Sequence, residues 1–185
     1  MDSPASRRLM HTRRITLTAY ARDDGLWDAE AWLRDEKPFA YIDPGRGELK
    51  AGDPVHDIGV RLTVDGGLVV RDVVVHMGSM PFGICHDVRD SLRPLIGEQV
   101  GRGWRAAVKR IARRDTCAHA YELLMPLATA VHQGMALGRQ PEGRVAVERD
   151  PDASQRPFFL DDCHSWRDDG PVVAHFFPQF ARRRE

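Results

Sequence analysis

Two runs of β-branched residues around a short turn decide the fold. They are HDIGVRLTV (residues 56–64) and LVVRDVVVHM (residues 68–77), and DGG (residues 65–67) joins them. Valine, isoleucine and threonine fit the pleated surface of a sheet, and Asp-Gly-Gly supplies glycines for a tight turn with positive φ. The sequence therefore predicts an antiparallel β-hairpin over these residues.

Two further strands are predicted on the N-terminal side of this hairpin. RRITLTAY (residues 13–20) alternates apolar and polar residues, as a half-buried strand does. LWDAEAWLRDEKPF (residues 26–39) has a period-two row of apolar residues, Trp27, Ala29, Ala31 and Leu33. A helix is the alternative there, because Ala, Glu and Leu are good helix formers. Residues 43–54 are rich in Gly, Pro and Asp and predict a loop.

Helices are predicted on the C-terminal side, where the apolar spacing changes to three and four. We expect a short helix over residues 85–96, a second over 101–114 and the longest over 116–137, with Pro126 in its interior. Strands followed by helices are typical of the α+β class. The prediction is an antiparallel sheet covered on one side by three helices.

The domain organisation follows from the same reading. Residues 1–12 are expected to be a disordered leader, residues 13–138 a single α+β domain, and residues 139–185 a polar connection with a C-terminal extension. The aromatic residues of the extension predict that it packs back on the domain. A final hairpin is expected there, with its turn at residues 168–170.

Composition excludes several functional classes. The 27 Lys and Arg residues equal the 27 Asp and Glu residues, so the chain shows no charge signature for nucleic acid or an anionic membrane. No apolar run is long enough to span a bilayer, and the basic N-terminal segment lacks the apolar stretch of a secretory signal. We expect a cytoplasmic protein whose three cysteines stay reduced.

Each cysteine of the chain lies beside a histidine or one residue from one. The three groups are Cys85-His86, Cys117-Ala118-His119 and Cys163-His164, and His56-Asp57 is a further candidate pair. Cys85 and Cys117 are both expected at helix starts, where the helix dipole favours a thiolate, which is both a metal ligand and a nucleophile. Glu122 follows His119 by one helical turn and is a candidate to orient its imidazole or to act as a base. A free cysteine more often packs as a small hydrophobe, and this alternative stays open for each of them.

Several blocks of the sequence resemble a bacterial family described as a domain of unknown function, DUF2889. The blocks are RDDGLWDAEAWLRD (22–35), PVHDIGVRLTVDGGLVVRDV (54–73), Cys85, L-x-G (95–97), Cys-x-His-x-x-Glu-Leu-Leu (117–124) and DDCHSW (161–166). The resemblance covers nearly the whole chain. It implies that the cysteine and histidine groups lie in the signature blocks of that family, and it implies no activity.

Residues 52–137 also resemble the NifU/IscU iron–sulfur scaffold and SufE fold more distantly. The resemblance rests on an aspartate before a hairpin, a cysteine after it and a cysteine opening a long helix. It implies that Asp57, Cys85 and Cys117 meet at one end of the sheet, with His56 or His119 as the fourth ligand. The first scaffold cysteine is missing here, which favours a single-metal site over a cluster.

Three functions compete at this point. The first is a metal-binding protein that holds Zn²⁺, iron or an iron–sulfur centre with His56, Asp57, Cys85, Cys117 and His119. The second is an enzyme, a lyase or hydrolase acting on a small molecule, in which Cys85 or Cys117 is the nucleophile and His119 or His56 the base. The third is an interaction module whose aromatic tail binds a partner or a second copy of the chain in a homodimer.

Overall fold

The computed structural model describes residues 5–111, 113–138, 156–157 and 159–182. These residues fall into two compact units, residues 1–138 and residues 139–185. None of the helices in the described part of the chain combines the length and apolar character that a membrane crossing requires.

A four-stranded antiparallel sheet forms the frame of the first unit. Its strands follow one another as a meander: β1 (Thr12–Ala21), β2 (Trp27–Glu36), β5 (Pro54–Val64) and β6 (Val70–Ser79). The α+β class and both N-terminal strands are therefore confirmed, and the helical alternative for residues 26–39 is wrong. The period-two row on β2 is buried, because every second side chain of a strand points to the same face.

The predicted hairpin is present as β5 and β6, but its turn differs in detail from the expectation. The residue with positive φ is Leu68, at 66°, while Gly66 and Gly67 are not in that region. The Asp65 carboxylate accepts hydrogen bonds from the backbone N–H of Gly67 and of Val69, and these bonds hold the turn. The side chain of Asp65, rather than glycine freedom, thus shapes this connection.

The segment predicted as a loop over residues 43–54 contains a small second sheet. β3 (Tyr41–Asp43) pairs with β4 (Gly47–Leu49). Between them, Arg46 donates to the carbonyl oxygens of Pro54 and Val55 at 3.1 Å. The loop prediction missed this hairpin because three-residue strands leave almost no periodic signal in a sequence.

Helices cover the apolar face of the sheet. α2 (Ala118–Gly138) packs on β1, β2 and β5 and is continuous across Pro126. α1 (Trp104–Arg110) contacts α2, and the indole of Trp104 donates to the carbonyl oxygen of Leu124 at 3.0 Å. These two elements confirm the second and third predicted helices.

The first predicted helix is wrong in type. Residues 85–96 contain two short 3₁₀ helices, Gly83–Val88 and Arg93–Leu95. Pro94 stands at the start of the second one, and a proline inside a regular helix removes a hydrogen bond and clashes with the preceding turn. Arg113–Asp115 forms a further 3₁₀ turn before α2.

The core lies between the sheet and the helices. It is built from aliphatic side chains that are almost fully buried, among them Leu33, Ile58, Leu62, Leu123, Leu124 and Leu127. Cys85 and Cys117 are half-buried and pack against this core.

The described residues of the second unit form a short helix, α3 (Pro171–Phe176), and a 3₁₀ turn over Pro178–Phe180. The hairpin predicted around residues 168–170 is absent from the described part of this unit. Pro171 occupies the first turn of α3, where its fixed φ and missing N–H favour a helix start over a strand. The predicted connection over residues 139–155 lies outside the described residues.

Candidate metal and acid–base site

Polar side chains meet at one end of the sheet, on the face that otherwise forms the core. Because neighbouring strands are antiparallel, the start of β1, the end of β2 and the start of β5 lie side by side. The register pairs Arg13 with Asp35, and Asp35 with His56. The first turn of α2 brings His119 to the same place.

Asp35 is the centre of this group. Its side chain is 1% exposed, although it carries a charge. Arg13 holds it with two hydrogen bonds of 2.8 Å, from Nε to Oδ1 and from a terminal nitrogen to Oδ2. His56 Nδ1 lies 2.9 Å from Oδ2, and His11 Nε2 lies 3.2 Å from Oδ1. Buried carboxylates persist when they are paired and hydrogen-bonded in this way.

These partners determine the charge of Asp35. Burial by itself raises its pKa, but the hydrogen bonds from Arg13 and His56 and their positive charges outweigh burial and lower the pKa to about 2. The carboxylate is therefore ionised at neutral pH and acts only as an acceptor. Consequently His56 carries a proton on Nδ1 when it bonds to Asp35.

His119 approaches the same carboxylate from the helix. Its Nε2 lies 3.9 Å from Asp35 Oδ2, and its ring lies over the ring of His56 with centroids 4.0 Å apart. Burial lowers the pKa of His119, and the nearby charges of His56 and Arg13 lower it further. His119 thus favours the neutral form, in which a ring nitrogen can bind a metal or accept a proton.

A thiol and a second carboxylate border the group. Cys117 Sγ lies 3.9 Å from His119 Nδ1, on the side of the imidazole away from Asp35. Glu122 accepts a 3.0 Å hydrogen bond from Arg13, and its side chain is 47% exposed. In the structure Glu122 thus holds the guanidinium that in turn holds Asp35.

Among the described residues, one set of three meets the geometry of a metal site. Asp35, His56 and His119 each offer a ligand atom, and these atoms lie within 4.8 Å of one another. The structure therefore brings together two of the residues proposed from sequence, His56 and His119, with Cys117 beside them.

The other residues proposed from sequence lie outside this set. Asp57 follows His56 on a strand, so its side chain points to the opposite face, where Oδ2 lies 3.9 Å from an Arg34 nitrogen. Cys85 packs against the core and is outside the Asp35 set. Cys163 belongs to the second unit and is exposed.

The sequence reasoning missed Asp35, Arg13 and His11. A usable signal was present, because Asp35 continues the period-two apolar row of β2 and therefore had to point towards the core. A charged residue at a core position needs buried partners, which marks it as a candidate for a site.

Fold and site together define a small α+β domain with a carboxylate–imidazole cluster at one end of its sheet. The model of the family described as "Protein of unknown function (DUF2889)" matches residues 11–133, and the chain belongs to this family. Neither a curated protein nor a solved structure matches the chain. The resemblance to the NifU/IscU/SufE fold therefore gains no support from these comparisons.

Proposed function

We propose that this protein binds a single divalent transition-metal ion, Zn²⁺ or Fe²⁺, through Asp35, His56 and His119. The observation that carries the proposal is the placement of three ligand atoms from these residues within 4.8 Å of one another. Two imidazoles and one carboxylate are a frequent ligand set for non-haem iron and for catalytic zinc. An iron–sulfur cluster is less suited to this set, because such clusters are held mainly by cysteine thiolates.

The protonation states favour metal binding at neutral pH. Metal ligands must be deprotonated, and each proton that has to leave lowers the affinity. Asp35 is already ionised, since its pKa is about 2. The lowered pKa of His119 keeps that imidazole neutral. Among the three ligands, an incoming metal ion then mainly has to displace the proton that His56 shares with Asp35.

Access to the cluster favours a reactive rather than a purely structural metal. The side chains of His56 and His119 are 19% and 24% exposed, so solvent reaches the imidazoles. Three protein ligands leave at least one coordination position for water or substrate, as in catalytic sites. The bound ion would supply a Lewis acid or an activated water there.

Arg13 limits the affinity of this cluster for a metal ion. Its positive charge lies against the same carboxylate that would bind the ion, and its two hydrogen bonds occupy part of the carboxylate's acceptor capacity. The repulsion between guanidinium and metal predicts weaker binding than in a closed structural zinc site.

Metal titration of chelator-treated protein tests the proposal. We expect about one equivalent of Zn²⁺ or Co²⁺ to bind, and His119→Ala to weaken binding by at least about tenfold. The matched control is His76→Ala, because His76 packs against Trp32 on the opposite face of the sheet. Absence of stoichiometric binding by the wild type, or an equal loss in the His76 variant, would contradict the proposal.

A second function is favoured by the contact between Cys117 and His119. A thiol 3.9 Å from an imidazole that favours its neutral form is suited to nucleophilic catalysis without metal, with His119 as the base. A lyase or hydrolase acting on a small molecule would use this pair. Iodoacetamide labelling at several pH values tests it, with Cys85 and Cys163 as internal references. Slow labelling of all three thiols, with the pH dependence of a free thiol, would exclude this function.

A further inference from the structure

A cavity opens where the chain enters β1 and leaves β2. It is an open surface groove with a volume of about 560 Å³, and Leu9 and Met10 are exposed in it. Arg8, Leu9, Met10, Pro38 and Phe39 line it. Four of these five side chains are apolar, and we refer to the cavity formed by the five residues as the entry groove.

The entry groove lies at the same end of the sheet as Asp35. Met10 directly precedes His11, whose imidazole contacts Asp35 at 3.2 Å. Pro38 follows Asp35 by three residues, and three residues of extended chain span at most about 10 Å. Both walls of the groove thus continue directly into the carboxylate–imidazole cluster.

The charges around the entry groove are positive. Arg8 is part of its lining, and the Lys37 ammonium lies 5.9 Å from the centre of the Phe39 ring. The neighbouring acid, Glu36, is already paired with Arg14 and Arg34. Arg8 Nε also contacts Met10 Sδ at 3.4 Å, and no described carboxylate forms an ion pair with Arg8 or Lys37. An apolar surface next to these cations is complementary to an anion with an apolar body.

We infer that the entry groove binds a small organic acid, with its apolar body on Leu9, Met10 and Phe39 and its anionic group near Arg8. The inference is independent of the metal proposal, because none of the five lining residues belongs to the Asp35 cluster. If the protein also binds a metal ion as proposed above, the bound acid lies next to that ion. The substrate of the metal site would then be a small organic acid.

Octanoate is a suitable probe, and binding to the full chain can be measured by calorimetry and by NMR shifts in the presence of chelator. Octanol and octylamine have the same apolar body without charge or with the opposite charge. We expect octanoate to bind about two- to fivefold more tightly than either, since one exposed charge contact contributes at most about 1 kcal/mol.

Two variants locate the site. Arg8→Gln should weaken octanoate binding by about fivefold, and Arg7→Gln, the matched control outside the groove lining, should leave it unchanged within about twofold. Arg8 is exposed, so its replacement is not expected to disturb folding. His56→Ala should abolish metal binding and leave octanoate binding intact, which separates failure of this inference from failure of the metal proposal.

Three results would overturn the inference: no saturable binding of octanoate, equal affinity for octanol, or equal losses in the Arg8 and Arg7 variants. Loss of metal binding with retained octanoate binding supports it.

Discussion

Replacement of Asp35 by Asn tests the arrangement at the end of the sheet most directly. The pKa of Asp35 is about 2, compared with 3.8 for an unperturbed carboxyl group. At about 1.4 kcal/mol per pKa unit, this difference stabilises the folded state by about 2–3 kcal/mol at neutral pH. The variant also removes the more deeply buried of the two carboxylates that hold Arg13, so we expect a total cost of about 2–4 kcal/mol.

The contribution of Asp35 to stability depends on pH in a defined direction. Because the folded-state pKa lies below the unfolded-state value, the stabilisation is complete above about pH 5 and is lost as pH falls towards about 2. Urea unfolding of chelator-treated protein at about pH 6 should show the full difference between wild type and Asp35→Asn. At about pH 3, roughly half of this stabilisation should have disappeared.

Asp57→Asn is the matched control for this experiment. Asp57 lies on the opposite face of the same end of the sheet, is 32% exposed and is 3.9 Å from its Arg34 partner. Such a pair contributes less than about 1 kcal/mol. Equal costs for the two variants at about pH 6, or a cost for Asp35→Asn that does not change with pH, would refute the central role given to Asp35.

Further predictions concern His119 and the packing of α2. Arg13→Gln should raise the pKa of His119, because the guanidinium charge lowers it; an NMR titration of the imidazole that shows no rise would contradict this. His119 has a folded-state pKa below its unfolded value, so the stability of wild type relative to His119→Gln should fall on acidification below about pH 6.5, as urea midpoints would show. Gly134→Ala should destabilise the protein by about 1–2 kcal/mol despite its better helix propensity, because the new methyl carbon would lie 2.5 Å from Cβ of Ala19. Ala19→Gly should recover most of that loss in a double-mutant cycle, and additive costs would argue against the contact.

The sequence was sufficient for elements with a strong local signal. The β5–β6 hairpin shows two runs of β-branched residues around a turn, β2 shows a period-two pattern, and α2 shows the spacing of an amphipathic helix. The types of these elements were therefore predictable. Local signals failed at residues 85–96, where helix-forming residues surround Pro94, and at the short β3–β4 pair. Pro94 interrupts a regular helix in the first segment, and three-residue strands leave almost no periodic signal in the second.

The site was only partly predictable, for a different reason. His56 and His119 were proposed because of their residue type, and Asp57 and Cys85 were proposed for the same reason. Strand alternation sends Asp57 to the other face, and only the pairing register places Asp35 between the two histidines. Register is a property of the folded sheet, so proximity in sequence to a cysteine or histidine was a poor guide to the site.

The cluster joins β2, β5 and the first turn of α2, which are far apart in the chain. No fragment that lacks one of them can hold the complete ligand set, so an ion that uses all three residues binds only the finished fold. By mass action such an ion shifts the unfolding equilibrium, by about 2.7 kcal/mol when its concentration is about a hundred times the dissociation constant. A rise in melting temperature on addition of metal would therefore show both that the sheet is assembled and that the metal site at its end is occupied.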